Sequence, residues 1–406
     1  MDSPWVLECI ECGNVLESEP ASFLCPKCGN LLQLAMRRLP VRLFPDGEGR
    51  ISVWRYKDSL PIGEGVDRVS LQEGGTPLVK STKIAGDLGL RELYIKNEGQ
   101  NPTGSFKDRG MTVAVTRALD RGARLLICAS TGNTSASLAA YAARSGARAA
   151  VIVPSGNVAA GKLTQAVIHG ATIIRVKGNF DDALRFVTES ISKVPGLYLV
   201  NSVNPYRIEG QKTVAFEIYE QLGRRVPDYM VMPVGNAGNI SAAWKGFKEL
   251  RDSGMTDRLP VMIGVQASGA SPIAQAFAQG LDTVTPVENP KTVASAIRIG
   301  NPVSWKKALR AMRESKGMAL AVSDEEILAA RGEMASAEGI FVEAASATPI
   351  AAVKALRGRI PGEATVVCVG TGNGLKDQES VQWNVEDTPL LSEGSSLQSL
   401  LARMSG

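Results

Sequence analysis

From residue 91 onward the apolar positions of the chain fall into a repeating rhythm. Short runs in which nearly every residue is apolar alternate with longer stretches whose apolar residues recur every three or four positions. A short unbroken apolar run is a strand covered on both faces, and the three-to-four spacing is one face of a helix. On this basis ELYIKNE, LLICAS, AAVIVP, ATIIRV, LYLVNS, YMVMPVG, VMIGVQA and TVVCVGTGN are strands. GMTVAVTRALDRG, SASLAAYAARSG, AAGKLTQAVIHG, DDALRFVTESISKV, QKTVAFEIYEQLG and ISAAWKGFKELRDSG are the helices between them. The expected fold class is therefore α/β, with parallel sheets sandwiched by helices. Residues 270–350 resist this parsing and are expected to be mostly helical. The tail SEGSSLQSLLARMSG reads as a frayed end or a short docking helix.

Composition narrows the function classes. A chain of 406 residues, 44% hydrophobic and 21% charged, has room for two or three domains with sizeable cores. A net charge of +4 favours neither a nucleic-acid face nor a membrane patch, yet does not repel an anionic metabolite. No window approaches the roughly 18 unbroken apolar residues of a membrane span. MDSPWVLECIECG lacks the basic segment and apolar run of a secretory signal, so a cytoplasmic location is expected. His169 is the sole histidine, which speaks against histidine triads and histidine metal sites.

The cysteines change the picture at the front. Cys9, Cys12, Cys25 and Cys28 read C-x2-C-x12-C-x2-C, with Gly13 and Gly29 placed to close two tight turns. A two-residue gap lets both sulfurs of a pair face one tetrahedral ion, so a structural zinc ribbon is expected over residues 1–40. Disulfides, or a ribbon that has lost its metal, are the other readings; a cytosolic setting disfavours the first. Only Lys27, Arg37 and Arg38 lie nearby, too few to argue a nucleic-acid face. Cys128 and Cys368 stand singly in apolar runs and read as buried hydrophobes.

In open parallel sheets, ligands gather beyond the carboxyl ends of the strands. Four loops occupy such positions: TGNTS, NSVNPYR, GNAGN and TGNGLKD. GNAGN opens a helix with two glycines, so its N–H groups can converge on an anion, although it matches neither the Walker nor the dinucleotide pattern. An ordinary strand-to-helix turn is the bland alternative. Lys107, in NPTGSFKDRG, sits in a turn before an alanine-rich helix. An amine, a phosphate-sized nest and polar loops at neighbouring strand ends are the parts that pyridoxal phosphate requires.

NPTGSFKDR resembles the cofactor-lysine motif of the fold-type-II pyridoxal-phosphate enzymes, the group of serine/threonine dehydratases and threonine synthases. GGTPL, STGNTSAS, VNSVNPYRIEGQKT, PVGNAGN and TGNGLKD resemble threonine synthases in particular, in the same order, across roughly residues 70–380. The resemblance implies two parallel or mixed-sheet α/β domains of the tryptophan-synthase-β kind behind the ribbon. The small domain would span 92–200 and carry the Schiff-base lysine, and the large one would combine 41–91 with 201–385, leaving a tail at 386–406. It implies pyridoxal 5'-phosphate on Lys107, which also moves protons as base and acid. Asn133 would bond the cofactor's ring oxygen, Gly235, Asn236, Ala237, Gly238 and Asn239 its phosphate, and Thr371 its pyridine nitrogen. Thr131, Gly132, Asn133 and Thr134 would grip the substrate carboxylate, and Asn201, Ser202 and Arg207 a substrate phosphate.

The implied reaction is a lyase's: elimination of phosphate from O-phospho-L-homoserine, then addition of water to give L-threonine. The resemblance also implies a homodimer. In IFVEAASATP an alanine follows Glu343 where relatives are expected to carry proline, so Glu343 stays outside the expected site. Cysteate synthase, which joins O-phosphoserine and sulfite, and a dehydratase of unphosphorylated serine or threonine are the neighbouring alternatives. A dehydratase has no use for Arg207. A non-enzymatic ribbon module with a metabolite-sensing body is the third.

Overall fold

The computed structural model describes residues 4–381, apart from 41–42, 46–48, 156–159, 179, 192 and 195. The tail expected at 386–406 lies outside the described residues. Strands β1 (Trp5–Cys9), β2 (Val15–Leu16) and β3 (Leu32–Met36) form the ribbon, antiparallel in the order β2-β1-β3. β4 (Leu78–Lys80) and β5 (Glu92–Asn97) come next, then β6 (Leu125–Ala129), β7 (Arg148–Pro154), β8 (Thr172–Val176) and β9 (Leu197–Leu199). The chain then adds β10 (Tyr229–Pro233), β11 (Val261–Ala267), β12 (Met318–Val322) and β13 (Thr365–Gly370).

Two sheets make up the body. One is fully parallel in the order β8-β7-β6-β9. The other is mixed, β12-β11-β10-β13-β5-β4, with only β4 antiparallel to its neighbour. The α/β expectation holds because runs such as LLICA and TVVCVG are buried nearly end to end, as a strand covered on both faces must be. No described helix is long and apolar enough to cross a membrane.

One expectation needs correction, and another needs detail. The boundary drawn at residue 92 comes one strand early, because β5 pairs with β13 and β4 in the six-stranded sheet. Residues 270–350 are mostly helical as expected, but not throughout. They hold β12 and an irregular stretch from 279 to 304 with one short turn of 3-10 helix, Ser295–Ile297, besides the helices Pro272–Ala278, Trp305–Glu314, Asp324–Glu338 and Ala344–Ala355. β12 reads MALAV, whose alanines favour helix, and as an edge strand it buries only Val322. Pro286, Pro290 and Pro302 break up the irregular stretch.

Two helices cross where they have no side chains. Helix Lys107–Asp120 and helix Pro205–Gln221 meet at Gly110 and Gly210. A Cβ on Gly210 would lie 1.9 Å from the Arg109 carbonyl oxygen, and one on Gly110 would lie 2.7 Å from that of Arg207. Only glycine permits this approach. Lys107 and Arg207 each precede their glycine by three residues, close to one helical turn, so the crossing brings the two cations to the same end.

A buried charge network locks that crossing. Arg109 donates from Nε to Glu98 at 2.6 Å and from Nη1 to Glu217 at 2.7 Å. Lys96 donates to the other Glu217 oxygen at 2.5 Å and to the Thr76 carbonyl at 2.6 Å, and the Thr76 hydroxyl donates to Glu98 at 2.6 Å. All four charged side chains are essentially inaccessible to water. Their charges sum to zero, and the two cations hold the Glu217 carboxyl down to about 2 against the opposing effect of burial. Removing one member strands the others, at about 3–5 kcal/mol. Glu217→Ala is therefore expected to lower the denaturation free energy by about that amount. A loss below about 1 kcal/mol in urea titrations would contradict this account of the network.

Candidate active site

The loop before Lys107 is fastened at both ends. Gly104 takes the left-handed conformation, φ 80°, and its N–H donates to Asn101 O at 2.8 Å. Asp108, wholly buried, accepts from Thr103 N and Thr103 Oγ1, each at 2.7 Å, and from Ser137 Oγ at 2.6 Å. Burial pushes the Asp108 carboxyl up to about 6 although those bonds oppose it. The loop also pairs with the glycine loop after β13: Phe106 N donates to Thr371 O at 3.0 Å and Asn373 N to Gly104 O at 2.9 Å. Lys107 and Thr371 are thus joined through the backbone.

The amine of Lys107 lies in a desolvated and electrically mixed setting. Burial pushes it down to about 7, the Arg207 charge adds to that fall, and Glu343 opposes it. It sits 4.0 Å from the centre of the Phe106 ring. At neutral pH a large fraction is the free amine, the form that attacks a carbonyl.

Three further loops converge here. Asn133 opens helix Asn133–Ser145 and donates its amide to both Glu343 oxygens, at 3.1 and 3.0 Å. Thr131, Gly132 and Thr134 lie half-buried beside it, with Gly132 N donating to Ser130 Oγ at 3.2 Å. Thr371 is buried, its hydroxyl 2.7 Å from that of Ser346. Ser346 Oγ also accepts from Gly372 N at 2.8 Å, and Glu343 N donates to Gly372 O at 3.1 Å. Glu343 and Ser346 therefore tie Asn133 and Thr371 into one assembly.

GNAGN follows β10 and opens helix Gly238–Asp252. Ala237 is left-handed at φ 65°, a strained conformation for a residue with a Cβ that here turns the chain into the helix. The first N–H groups of the helix have no partner within it. Asn236 braces the loop rather than filling it, accepting from Ser304 N at 3.1 Å and Val303 N at 3.3 Å. Gly235 fits closely, since a Cβ there would lie 3.1 Å from Ile297 Cα. Gly238 faces Ile208 and Gln211, which places the loop against the helix that carries Arg207, while Asn239 is buried at its start.

Arg207 is 2% exposed. Nη1 donates to Val200 O at 3.2 Å, and Nε has no partner. Burial alone draws the guanidinium down to about 10, with Cys128 opposing. Ser202 lies half-buried in the same turn. Asn201 has both functional atoms committed: Oδ1 accepts from Ala129 N at 2.8 Å and Nδ2 donates to Ala129 O at 2.9 Å. It joins this loop to the end of β6.

Residues 69–372 match the model of the pyridoxal-phosphate dependent enzyme family. The threonine synthase of Methanocaldococcus jannaschii is 52% identical over 378 residues, spanning 92% of this chain and 93% of that protein. The threonine synthase of Mycobacterium bovis is 53% identical over 339 residues, 83% of this chain and 91% of its own. The chain belongs to the pyridoxal-phosphate dependent enzymes, among the threonine synthases. The fold recurs in maize serine racemase, with a TM-score of 0.64 at 22% identity over 81% of this chain and 91% of the racemase chain.

The site fits the family's cofactor on its own chemistry. It offers a substantially uncharged amine, a hydroxyl pair for a pyridine nitrogen, and a strained helix-opening loop for a phosphate. Sequence reasoning missed Glu343 and Ser346. Their signal was present in AASATPIAAV, where a buried polar residue interrupts an otherwise apolar helix start one turn after a glutamate. It missed Lys376 as well, which reaches Gln165 across the cleft and lies close enough for Glu343 to act on its charge.

The four ribbon sulfurs lie within 4.8 Å of one another, with Cys9–Cys28 at 3.4 Å and Cys12–Cys25 at 3.8 Å. A tetrahedral ion at about 2.3 Å from each sulfur separates them by about 3.8 Å, whereas a disulfide needs about 2.05 Å. All four cysteines are free thiols. We expect native mass spectrometry to find one zinc ion per chain, and a protein without bound metal would refute the assignment.

The charge environment of Lys107 predicts its titration. In protein stripped of cofactor, half-maximal labelling of Lys107 by an amine reagent is expected near pH 7. Arg207→Gln removes a repelling charge and moves that midpoint upward; Glu343→Gln removes an attracting one and moves it downward. Mass spectrometry of labelled peptides reads both shifts, and equal midpoints in all three proteins would contradict the charge arrangement.

Proposed function

We propose that this protein converts O-phospho-L-homoserine and water to L-threonine and inorganic phosphate, with pyridoxal phosphate as cofactor. The observation that carries the choice of a phosphorylated substrate is Arg207. A buried guanidinium with a free Nε, acting on the charge of Lys107, is a receptor for a second anion beside the cofactor. A substrate without a phosphate leaves that group unpaired, and an unpaired buried donor carries a penalty of about 1–3 kcal/mol.

Bound pyridoxal phosphate supplies the electron sink that lets carbon–hydrogen bonds next to the amino group break. The chain's own groups do the rest. Lys107 has an Nζ that is uncharged in a large fraction of molecules at neutral pH, so it can take a proton from substrate carbon and return it later. Asn133, its amide held by Glu343, orients the ring oxygen of the cofactor. Thr371, backed by Ser346, meets the pyridine nitrogen with a neutral hydroxyl, which cannot keep that nitrogen protonated as a carboxylate does. Gly235, Asn236, Ala237, Gly238 and Asn239 hold the cofactor phosphate. Thr131, Gly132, Asn133 and Thr134 receive the substrate carboxylate. Arg207 and Ser202 hold the substrate phosphate and release it as the leaving group, with Asn201 keeping their loop on β6. The cofactor would lie between the six-stranded and four-stranded sheets.

The family resemblance supports a homodimer working in the cytoplasm, and the four converging ribbon sulfurs support a structural zinc.

The test is to give the purified holoenzyme O-phosphohomoserine, O-phosphoserine with and without sulfite, and L-threonine, and to identify the products. Phosphate and threonine in equal amounts from the first are expected. Turnover of O-phosphoserine only with sulfite would make the protein a cysteate synthase, and ammonia from threonine alone a dehydratase. Lys107→Ala is expected to fold and to lose at least about a thousandfold in kcat, since it removes both the cofactor anchor and the proton carrier. Substantial remaining activity would end the assignment of Lys107.

A further inference from the structure

The span between the two cysteine pairs reaches the active-site loop. The Glu19 side chain is 7% exposed and takes donors from three elements of the body. Its Oε1 accepts from the Tyr198 hydroxyl at 3.0 Å, and its Oε2 from the Tyr206 hydroxyl at 2.8 Å and from Arg117 Nε and Nη2 at 3.1 Å each. Phe23 packs edge-on against the same two tyrosines, with ring centres 5.4 and 6.5 Å apart. The Arg117 guanidinium also lies over the Tyr206 ring at 5.2 Å.

Those tyrosines bracket one short loop. Tyr198 lies in β9, and Tyr206 is the second residue of helix Pro205–Gln221, directly before Arg207. The loop between them is held from within by Asn204 Nδ2 donating to Leu199 O at 2.7 Å and by Arg207 Nη1 donating to Val200 O at 3.2 Å. Ribbon residues Leu7, Cys9, Phe23, Cys25, Leu32 and Leu34 share one continuous core with the four-stranded sheet. The clamp therefore stands on a fixed base.

We propose that the ribbon is a splint for the substrate-phosphate subsite, with Glu19 the positioning residue that holds both ends of the Arg207 loop through Tyr198 and Tyr206. The inference rests on the reading of Arg207 as the phosphate ligand. A buried guanidinium binds an anion well only when its fork is already aimed, because reorganisation subtracts from affinity. Glu19 touches no substrate, so its loss acts on binding more than on the chemical step. Glu19→Ala removes all the donors' partners. Glu19→Gln keeps acceptor oxygen for a tyrosine but gives up the charge that Arg117 meets, so its effect falls between.

The experiment measures inorganic phosphate binding to the holoenzyme by calorimetry, alongside KM and kcat for O-phosphohomoserine. With cofactor in place its own phosphate cradle is filled, so the titrated ion reports the substrate subsite. Glu19→Ala is expected to weaken phosphate binding roughly tenfold or more and to raise KM by a similar factor, with kcat changed far less. Glu19→Gln should fall between it and the unaltered protein. Lys306→Ala is the control, since it severs ribbon contacts to Glu11 and Asn30 and leaves the Glu19 clamp intact, and it should leave phosphate affinity unchanged. Should Glu19→Ala fail to fold, Tyr206→Phe removes one hydroxyl of the same clamp and is judged by the same criterion. Unchanged phosphate affinity in the clamp variant would overturn the splint while leaving the Arg207 reading intact. Equal weakening in Lys306→Ala would overturn the assignment to Glu19. Absence of phosphate binding to the unaltered holoenzyme would refute the Arg207 reading itself, and the splint with it.

Discussion

Two cations and two carboxylates, closed off from water, fix the geometry on which this site depends. Arg109, Lys96, Glu98 and Glu217 come from the lysine helix, β5, the turn after β5 and the Arg207 helix. A buried network of this kind adds little to stability over an apolar packing of the same volume. Its donors and acceptors are satisfied in one arrangement, however, so the four elements have one register in which they fit together. Arg109 is two residues from Lys107, and Glu217 lies on the helix of Arg207. The ion pair thus ties the helix that carries Lys107 to the helix that carries Arg207.

The site itself keeps its charges apart by solvation rather than by distance. Lys107 is uncharged for much of the time because it is desolvated and faces Arg207, while Asp108, its neighbour in sequence, is turned away into hydroxyl and amide donors. Glu343 is pushed up by burial and moderated by the Asn133 amide. Two adjacent residues thereby take opposite tasks: one holds the loop, and the other meets the ligand. The neutral hydroxyl pair of Thr371 and Ser346 and the buried guanidinium of Arg207 stand apart in the same way.

Much of this was legible in the sequence, for physical reasons. Strands such as LLICA are buried on both faces, and a residue facing core on either side has to be apolar, so the pattern survives without any structure. Glycine-rich loops at strand ends announced their chemistry because they need both backbone freedom and polar atoms. β12 did not announce itself, since an edge strand of small residues has one face to cover and little side chain to cover it with. Glu343, Ser346 and Glu19 were hidden for a different reason. Their roles exist only through partners 210, 25 and up to 187 positions away, and even a local mark such as the polar break in AASATPIAAV does not name that partner.

The crossing at Gly110 and Gly210 makes two missing methyl groups into a gauge block. Backbone rests on backbone there, so the interval between the amine and the guanidinium is set by peptide planes and not by any side chain lining the cleft. Sliding either helix by one residue would swing its cation by about 100° and empty one side of the site. Substitutions around the site can alter what surrounds the two cations, but the interval between them belongs to the scaffold.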